Sequence, residues 1–375
     1  MPLNEPRSGE SIGFASYPRT NSAGTLGNPE QIIWSSILHL CSRGVAEVIA
    51  DQFHGVKRAG EIKAVARNLK LYINQAHEFY EAAQIAKANT APLIYYYSFL
   101  NLAKALCEIR QPGFHKHNEC YGHGISWRPN RKLLVNIETE TVSLPYRGVW
   151  QVLWESITHT NFPPTKGIKL SIKDMFMYCP ELGVEVETAF GKNVNLVSLE
   201  DPNIIYEDAS REAWIRFSVN KDELKFHHLS APQLLNAIQT SRTRYREIRS
   251  HKSDLRTFES IIPAKDKYGR NVYQTLHSDI LGMNLFSSLG EGKEIEYSIP
   301  LQKKMPISMP QLMVLYTILY WLGSLVRYDP HSLSNLKESH HWILIDGFMS
   351  QSRIWLLEQF EWALYQTETA LWVAR

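Results

Sequence analysis

Imidazoles, a thiol and guanidiniums crowd one short stretch of this chain. Residues 110–131 carry His115, His117, Cys120 and His123 together with Arg110, Arg128 and Arg131, in a segment broken by glycine and proline. A loop held between helices presents polar groups that a packed helix would bury, so a site is expected here. The spacing His-x-His-x-x-Cys-x-x-His over His115, His117, Cys120 and His123 offers donors that zinc accepts. Zinc modules draw their ligand pairs from separate segments, however, and one tight loop is a poor source of four tetrahedral ligands. Neither a metal nor another cofactor is expected.

Arg110 and His115 suit a different chemistry. Their order and spacing resemble those of HEPN-type ribonucleases, which implies that Arg110 steadies phosphate charge while His115 moves a proton at a 2′-hydroxyl. A second basic group follows Pro232: Arg242, Arg244, Arg246, Arg249, Lys252 and Arg256. On a helix, Arg242, Arg246, Arg249 and Arg256 would share one side, while Leu234, Ile238, Tyr245 and Ile248 line another. Such a row can track phosphates, which makes RNA or DNA a candidate partner. A solvated or protein-facing surface is the alternative. No phosphate-binding Gly-x-x-x-x-Gly-Lys-Ser/Thr, no Gly-x-Gly-x-x-Gly and no Gly-x-Ser-x-Gly is present, which disfavours nucleotide triphosphatase, dinucleotide-binding and α/β-hydrolase readings.

The elements that must position these residues read as mostly helical. Ile62, Val65, Leu69, Ile73, Ala76, Tyr80 and Ala83 recur at spacings of three and four, predicting a long helix that ends near Asn89. Thr90 and Pro92 then read as the cap and first turn of a second helix, which carries Leu93, Tyr96, Tyr97, Leu100, Ala103, Lys104 and Leu106 to the Pro112-Gly113 breaker. The pair predicts an antiparallel hairpin whose far end delivers Arg110 to the loop. Short β-leaning runs follow at 133–137, 141–144, 168–172, 194–197 and 214–219. Helix is expected again from Ser230 through Ile248, at 310–327, and in an aromatic segment from Trp342 to Trp372. The apolar run 312–326, interrupted by Thr317, Gly323 and Ser324, is too short to span a bilayer and reads as a buried helix, so no membrane is expected as a partner.

A chain of 375 residues exceeds one ordinary compact core, and 44% apolar with 11% aromatic content belongs to a protein that folds. Net charge is only +2, so nothing global demands nucleic acid. Four separated cysteines and the lack of an N-terminal apolar run point to a reducing cytoplasm. The expected organisation is a flexible arm over 1–28, a helical hairpin with the site loop over 29–132, a β-rich insertion over 133–229, and a helical region over 230–375 that completes the core. The fold class is mainly α within α+β.

Several stretches together resemble one known family. They are the run from Ala91 through Tyr95-Tyr96-Tyr97 to Lys104; His123-Gly-Ile-Ser126-x-Arg128-x-x-Arg131; Gly148-Val-Trp; and Tyr316-x-x-x-Tyr-Trp-Leu-Gly-Ser-Leu-Val-Arg327-Tyr328. In this order they are similar to the YaaC-like family of bacterial cytoplasmic proteins, which brings no assigned activity. The resemblance implies that Lys104, His123, Ser126, Arg128, Arg131, Arg327 and Tyr328 belong to the family's polar pattern. The leading expectation is a protein acting on or beside nucleic acid, as effector or adaptor of a defence or stress system, with RNA cleavage by Arg110, His115, His123 and Ser126 as its sharpest form. The rivals are a non-catalytic subunit that docks on a protein partner or a second copy, and a sensor or enzyme for an anionic small molecule. Convergence of Lys104, His123, Arg128 and Arg327 would favour the last.

Overall fold

The computed structural model describes residues 5–11, 29–42, 44, 59–128, 134–158, 160–164, 167–238, 244–261, 264–265, 286–289, 295–301, 305–307 and 309–365. Arg131, Arg242 and Trp372 lie outside these residues. In chain order the elements begin with strand β1 (Glu10–Ser11) and helices α1 (Pro29–His39), α2 (Ala59–Ile85) and α3 (Ala91–Arg110). Then come β2 (Thr141–Leu144), α4 (Val149–Thr158), β3 (Ile168–Ser171), α5 (Ile172–Phe176) and α6 (Gly183–Phe190). A long antiparallel pair, β4 (Leu196–Glu207) and β5 (Glu212–Asn220), leads to α7 (Lys221–Phe226), α8 (Ala231–Ile238), β6 (Tyr245–Ile248), β7 (Leu255–Ser260), β8 (Ala264–Lys265), β9 (Phe286–Leu289) and β10 (Ile295–Pro300). Helices α9 (Gln311–Tyr328), α10 (Pro330–Lys337), α11 (Trp342–Gly347) and α12 (Arg353–Tyr365) complete the described chain.

Two compact units result. Of the described residues, the helical unit takes those within Leu26–Val194 and Leu312–Tyr365, and the sheet unit takes those within Asn195–Gln311 together with residues 5–11. The β-leaning texture that starts near residue 133 therefore spans both. Strands β2 and β3 pair with each other inside the helical unit, beside α4 and α5, whose Trp150 and Phe176 are fully buried. The sheet proper begins at β4 and continues past residue 229 to β10. With an antiparallel sheet of this size the protein is α+β rather than all-α.

In the helical unit, Val65, Leu69, Ile73, Ala76, Tyr80 and Ala83 of α2 form one buried stripe. It lies on α3, where Ser98 donates to the Ala76 carbonyl at 2.6 Å and Asn68 donates to Glu108 at 3.2 Å. Partners that rise on one helix as they fall on the other mean that α2 and α3 run antiparallel. Helix α2 stops at Ile85, and Thr90 does not cap α3 with its side chain: its hydroxyl donates backwards to the Lys87 carbonyl. Helix α9 is buried on every side from Leu312 to Leu325, as a central helix must be. It meets α3 at Gly323, where a Cβ would stand 3.2 Å from Tyr96 Cβ and 3.5 Å from Leu93 Cα, so the glycine lets Tyr96 pack closely on α9. The C-terminal aromatic segment is two helices, α11 and α12, joined by the π-helical turn Phe348–Ser352, and Phe360 of α12 stacks on Phe99 at 5.8 Å. No helix among the described residues is long and apolar enough to cross a membrane.

In the sheet unit the strand order is β6-β7-β5-β4-β10-β9, with β1 paired to β4 and β8 to β5. Helix α8 and the sheet enclose Leu234, Ile238, Phe217, Phe258, Tyr245 and Val197. The expected basic helix is not formed: α8 ends at Ile238, and Arg246 and Arg256 lie on the antiparallel strands β6 and β7. The physical reason is cross-strand charge pairing. Arg216 and Arg246 sit directly opposite Glu259 from either side, at 2.7 and 3.0 Å from its buried carboxylate. Arg256 donates to Glu247, and Arg249 pairs with Glu5. Residues 5–11 of the expected flexible arm are docked here: β1 extends the sheet, and Arg7 places its backbone N–H and its Nε on Glu259 at 3.3 and 3.7 Å. Residues 12–28 lie outside the described residues. Replacing Glu259 by Ala leaves three guanidiniums around an empty, buried position and should cost about 3–5 kcal/mol in denaturant unfolding. A change below about 0.5 kcal/mol would show that the arginines do not depend on it.

Candidate anion-binding site

The site loop is built from the C-terminal end of α3 outward. Glu108 is fully buried in an apolar helix and uses its carboxylate to accept the backbone N–H groups of Gly113 and His115, both at 3.0 Å. His115 Nδ1 lies 3.1 Å from the same carboxylate. Glu108 thus folds the chain back after the Pro112-Gly113 breaker. Two 3-10 turns, Phe114–Lys116 and Asn118–Cys120, lead on to Gly122-His123-Gly124.

These three residues cross the first turn of α4. The Gly122 carbonyl accepts from Val149 N–H at 2.9 Å and the His123 carbonyl from Trp150 N–H at 3.0 Å, so loop carbonyls satisfy amides that the helix itself leaves open. Gln151 locks the crossing by donating Nε2 to the Gly124 carbonyl at 2.8 Å and accepting Gly148 N–H at 2.9 Å. The backbones are so close that a Cβ on Gly148 would stand 2.6 Å from the Gly122 carbonyl oxygen. Gly124 also holds φ +74°, where a side chain is strained. On the far side of α4, Trp150 Nε1 donates to Thr317 of α9 at 3.0 Å. The loop, α4 and α9 are therefore fixed against one another.

This crossing sets the His123 ring beside α3 and α9. Nδ1 is hydrogen-bonded to the Tyr96 hydroxyl at 2.6 Å, and the ring centroid stands 6.0 Å from that of Tyr320. Tyr96 packs in turn on Tyr316 and Tyr320, at 5.9 and 5.4 Å. Burial holds the Tyr96 phenol well above its ordinary range, so it stays neutral. His123 is pushed below 6.5, first by burial, then by the charges of Lys104 and Arg327. Arg327 donates to the Tyr97 hydroxyl at 3.1 Å and lies 5.1 Å from the Tyr328 ring. Neither Lys104 nor Arg327 forms an ion pair with a carboxylate among the described residues.

Of the residues singled out in the sequence, Lys104 and Arg327 lie within electrostatic reach of His123, and Tyr328 lies beside Arg327. Ser126 is held nearby by a backbone bridge to Ser143 and a hydroxyl contact of 3.1 Å, and the next residue, Trp127, donates its backbone N–H to the Tyr320 hydroxyl oxygen. Arg128 is exposed. Arg110 and His115 are differently employed: burial lowers the Arg110 guanidinium to about 10, and His115 serves the Glu108 turn. The zinc-type donors diverge, with Cys120 buried against the Tyr72 hydroxyl at 3.5 Å. No group of three or more His, Cys, Asp and Glu suited to an ion occurs among the described residues. Sequence reasoning passed over Tyr96, Tyr97, Tyr320, Gln151 and Glu108. The signal for Glu108 was a lone carboxylate inside the apolar run of residues 105–109, and for the tyrosines their spacing on α3 and α9.

Comparison with known proteins adds one finding. The model of the family described as YaaC-like Protein matches residues 51–361, a span that contains every residue of this site. No curated protein and no solved structure matches the chain.

The glycine crossing is testable by itself. Gly148→Ala should lower stability by about 1–3 kcal/mol through overpacking against backbone, read as a lower melting temperature. Gly183→Ala, where a Cβ meets no atom within 4 Å, should cause no loss. Equal melting temperatures for the two variants would mean that the crossing tolerates a side chain.

Proposed function

The chain belongs to the YaaC-like family, and from that premise we propose that the protein binds an anionic small molecule at His123, Lys104 and Arg327, as a sensor or an enzyme. The observation that carries this reading is the pair of cations without a described counter-charge beside a half-buried imidazole. Uncompensated positive charge at a low-dielectric surface raises the local potential and attracts phosphoryl or carboxylate groups. The hydroxyl of Tyr97 already orients Arg327, and Tyr96 fixes the imidazole ring, so the groups are pre-set before a ligand arrives.

The ribonuclease reading draws less support. Arg110 is enclosed, His115 is tied to Glu108, and Arg246, Arg249 and Arg256 each face a carboxylate rather than forming a free basic row. Nucleic acid would have to enter through its phosphate at the same three side chains.

The depressed His123 pKa gives the reading a pH signature. Its neutral form contributes stability that is complete above pH 6.5 and is lost as pH falls through the lower folded value. A bound anion favours the imidazolium, so binding should strengthen over the same interval in which the free protein weakens. Calorimetry at low salt with sulfate, whose charge is constant across this range, should show tighter binding at pH 5.5 than at pH 7.5. Lys104→Met and Arg327→Gln should each weaken it about tenfold or more. Absence of binding to sulfate and to phosphate at low salt would sink the proposal.

A further inference from the structure

We infer that the anion taken at His123, Lys104 and Arg327 is the phosphate of a nucleotide whose base lies against the exposed rings of Tyr146 and Tyr328. The inference rests on the anion reading above and names the ligand class within it. Tyrosines in a folded protein usually bury the ring body and leave only the hydroxyl wet. Tyr146 and Tyr328 are instead 58% and 56% exposed.

Both rings belong to the same neighbourhood. Each lies close enough to Tyr320 to act on its hydroxyl electrostatically, and Tyr320 stands 6.0 Å from His123. Tyr146 also lies over the loop itself, since a Cβ on Gly122 would meet its ring at 3.4 Å. Tyr328 follows Arg327 at the end of α9, and the Arg327 guanidinium lies 5.1 Å from its ring. Arg327 therefore joins the cationic centre to the aromatic surface.

The two features select for a ligand that carries both complements. Inorganic phosphate, or a small carboxylate, would use the cations and leave two rings in water. A nucleotide brings a phosphate for Lys104, Arg327 and His123 and a flat π-face for the rings, which stack on any base without reading its identity. Two rings beside one cationic centre suit a single nucleotide unit, free or at the phosphorylated end of an RNA strand.

Calorimetry of the full chain with inorganic phosphate, adenosine 5′-monophosphate and a 5′-phosphorylated oligoribonucleotide tests this. The monophosphate should bind about tenfold or more tighter than phosphate, the increment expected of one stacked base. The double variant Tyr146→Ala with Tyr328→Ala should lose that increment, so that the monophosphate binds no tighter than phosphate, and the double Phe variant should retain it. An oligoribonucleotide tighter than the monophosphate identifies an RNA end as the source, and equal or weaker binding identifies a free nucleotide; both bear out the shared chemistry. If phosphate binds but the monophosphate is no tighter, or if its advantage survives the double Ala variant, the inference is overturned and the anion site stands. If neither binds, the anion reading itself has failed.

Discussion

Two strands of backbone pass each other at Gly148, closer than side chains allow, and the arrangement of the site follows from that contact. The Gly122 and His123 carbonyls complete the first turn of α4, and Gln151 closes the junction from the helix side. A loop bonded through its own backbone to a buried helix cannot drift, so His123 is carried on a rigid element although it belongs to a loop. The same helix reaches α9 through Trp150 and Thr317, and α9 reaches α3 across Gly323. Gly124 and Gly148 thus let the loop and α4 approach within backbone contact, and Gly323 lets Tyr96 of α3 pack closely on α9.

That closeness has an electrostatic consequence. Lys104 from α3 and Arg327 from α9 act on His123 of the loop, whose ring packs on Tyr96 and Tyr320, with neither cation paired to a described carboxylate. The contrast with the sheet unit is informative. There Arg7, Arg216 and Arg246 also converge, but on a buried Glu259, and the result is a satisfied structural network. Cations in the two places do different work because, among the described residues, only the sheet unit supplies the anion.

Much of the helical unit was legible in the sequence because its signals are local. The three-and-four spacing of Val65, Leu69, Ile73 and Tyr80 is enough to name the buried face of α2, and the uninterrupted apolar run of α9 is enough to bury it. Lys104, His123 and Arg327 could be chosen from family-like motifs, although nothing local says that residues over 200 positions apart meet. The basic stretch after Pro232 misled for a physical reason. Tyr245 and Ile248 are three apart and both buried, which a helix explains, but a strand covered on both faces explains it equally well. What decides between them is Glu259, opposite in register and invisible to periodicity. Docking of residues 5–11 was hidden in the same way, since Arg7 finds its partner 252 positions away.

The central claim is that Lys104 and Arg327 direct their charge at His123 with no carboxylate partner among the described residues. Nuclear magnetic resonance titration of the His123 ring in the wild type, in Lys104→Met and in Arg327→Gln measures this directly. The account predicts a wild-type pKa below 6.5 that rises in each variant yet remains below 6.5, because burial is the larger cause and is left in place. A wild-type value at or above 6.5, or one unmoved by either substitution, would contradict it.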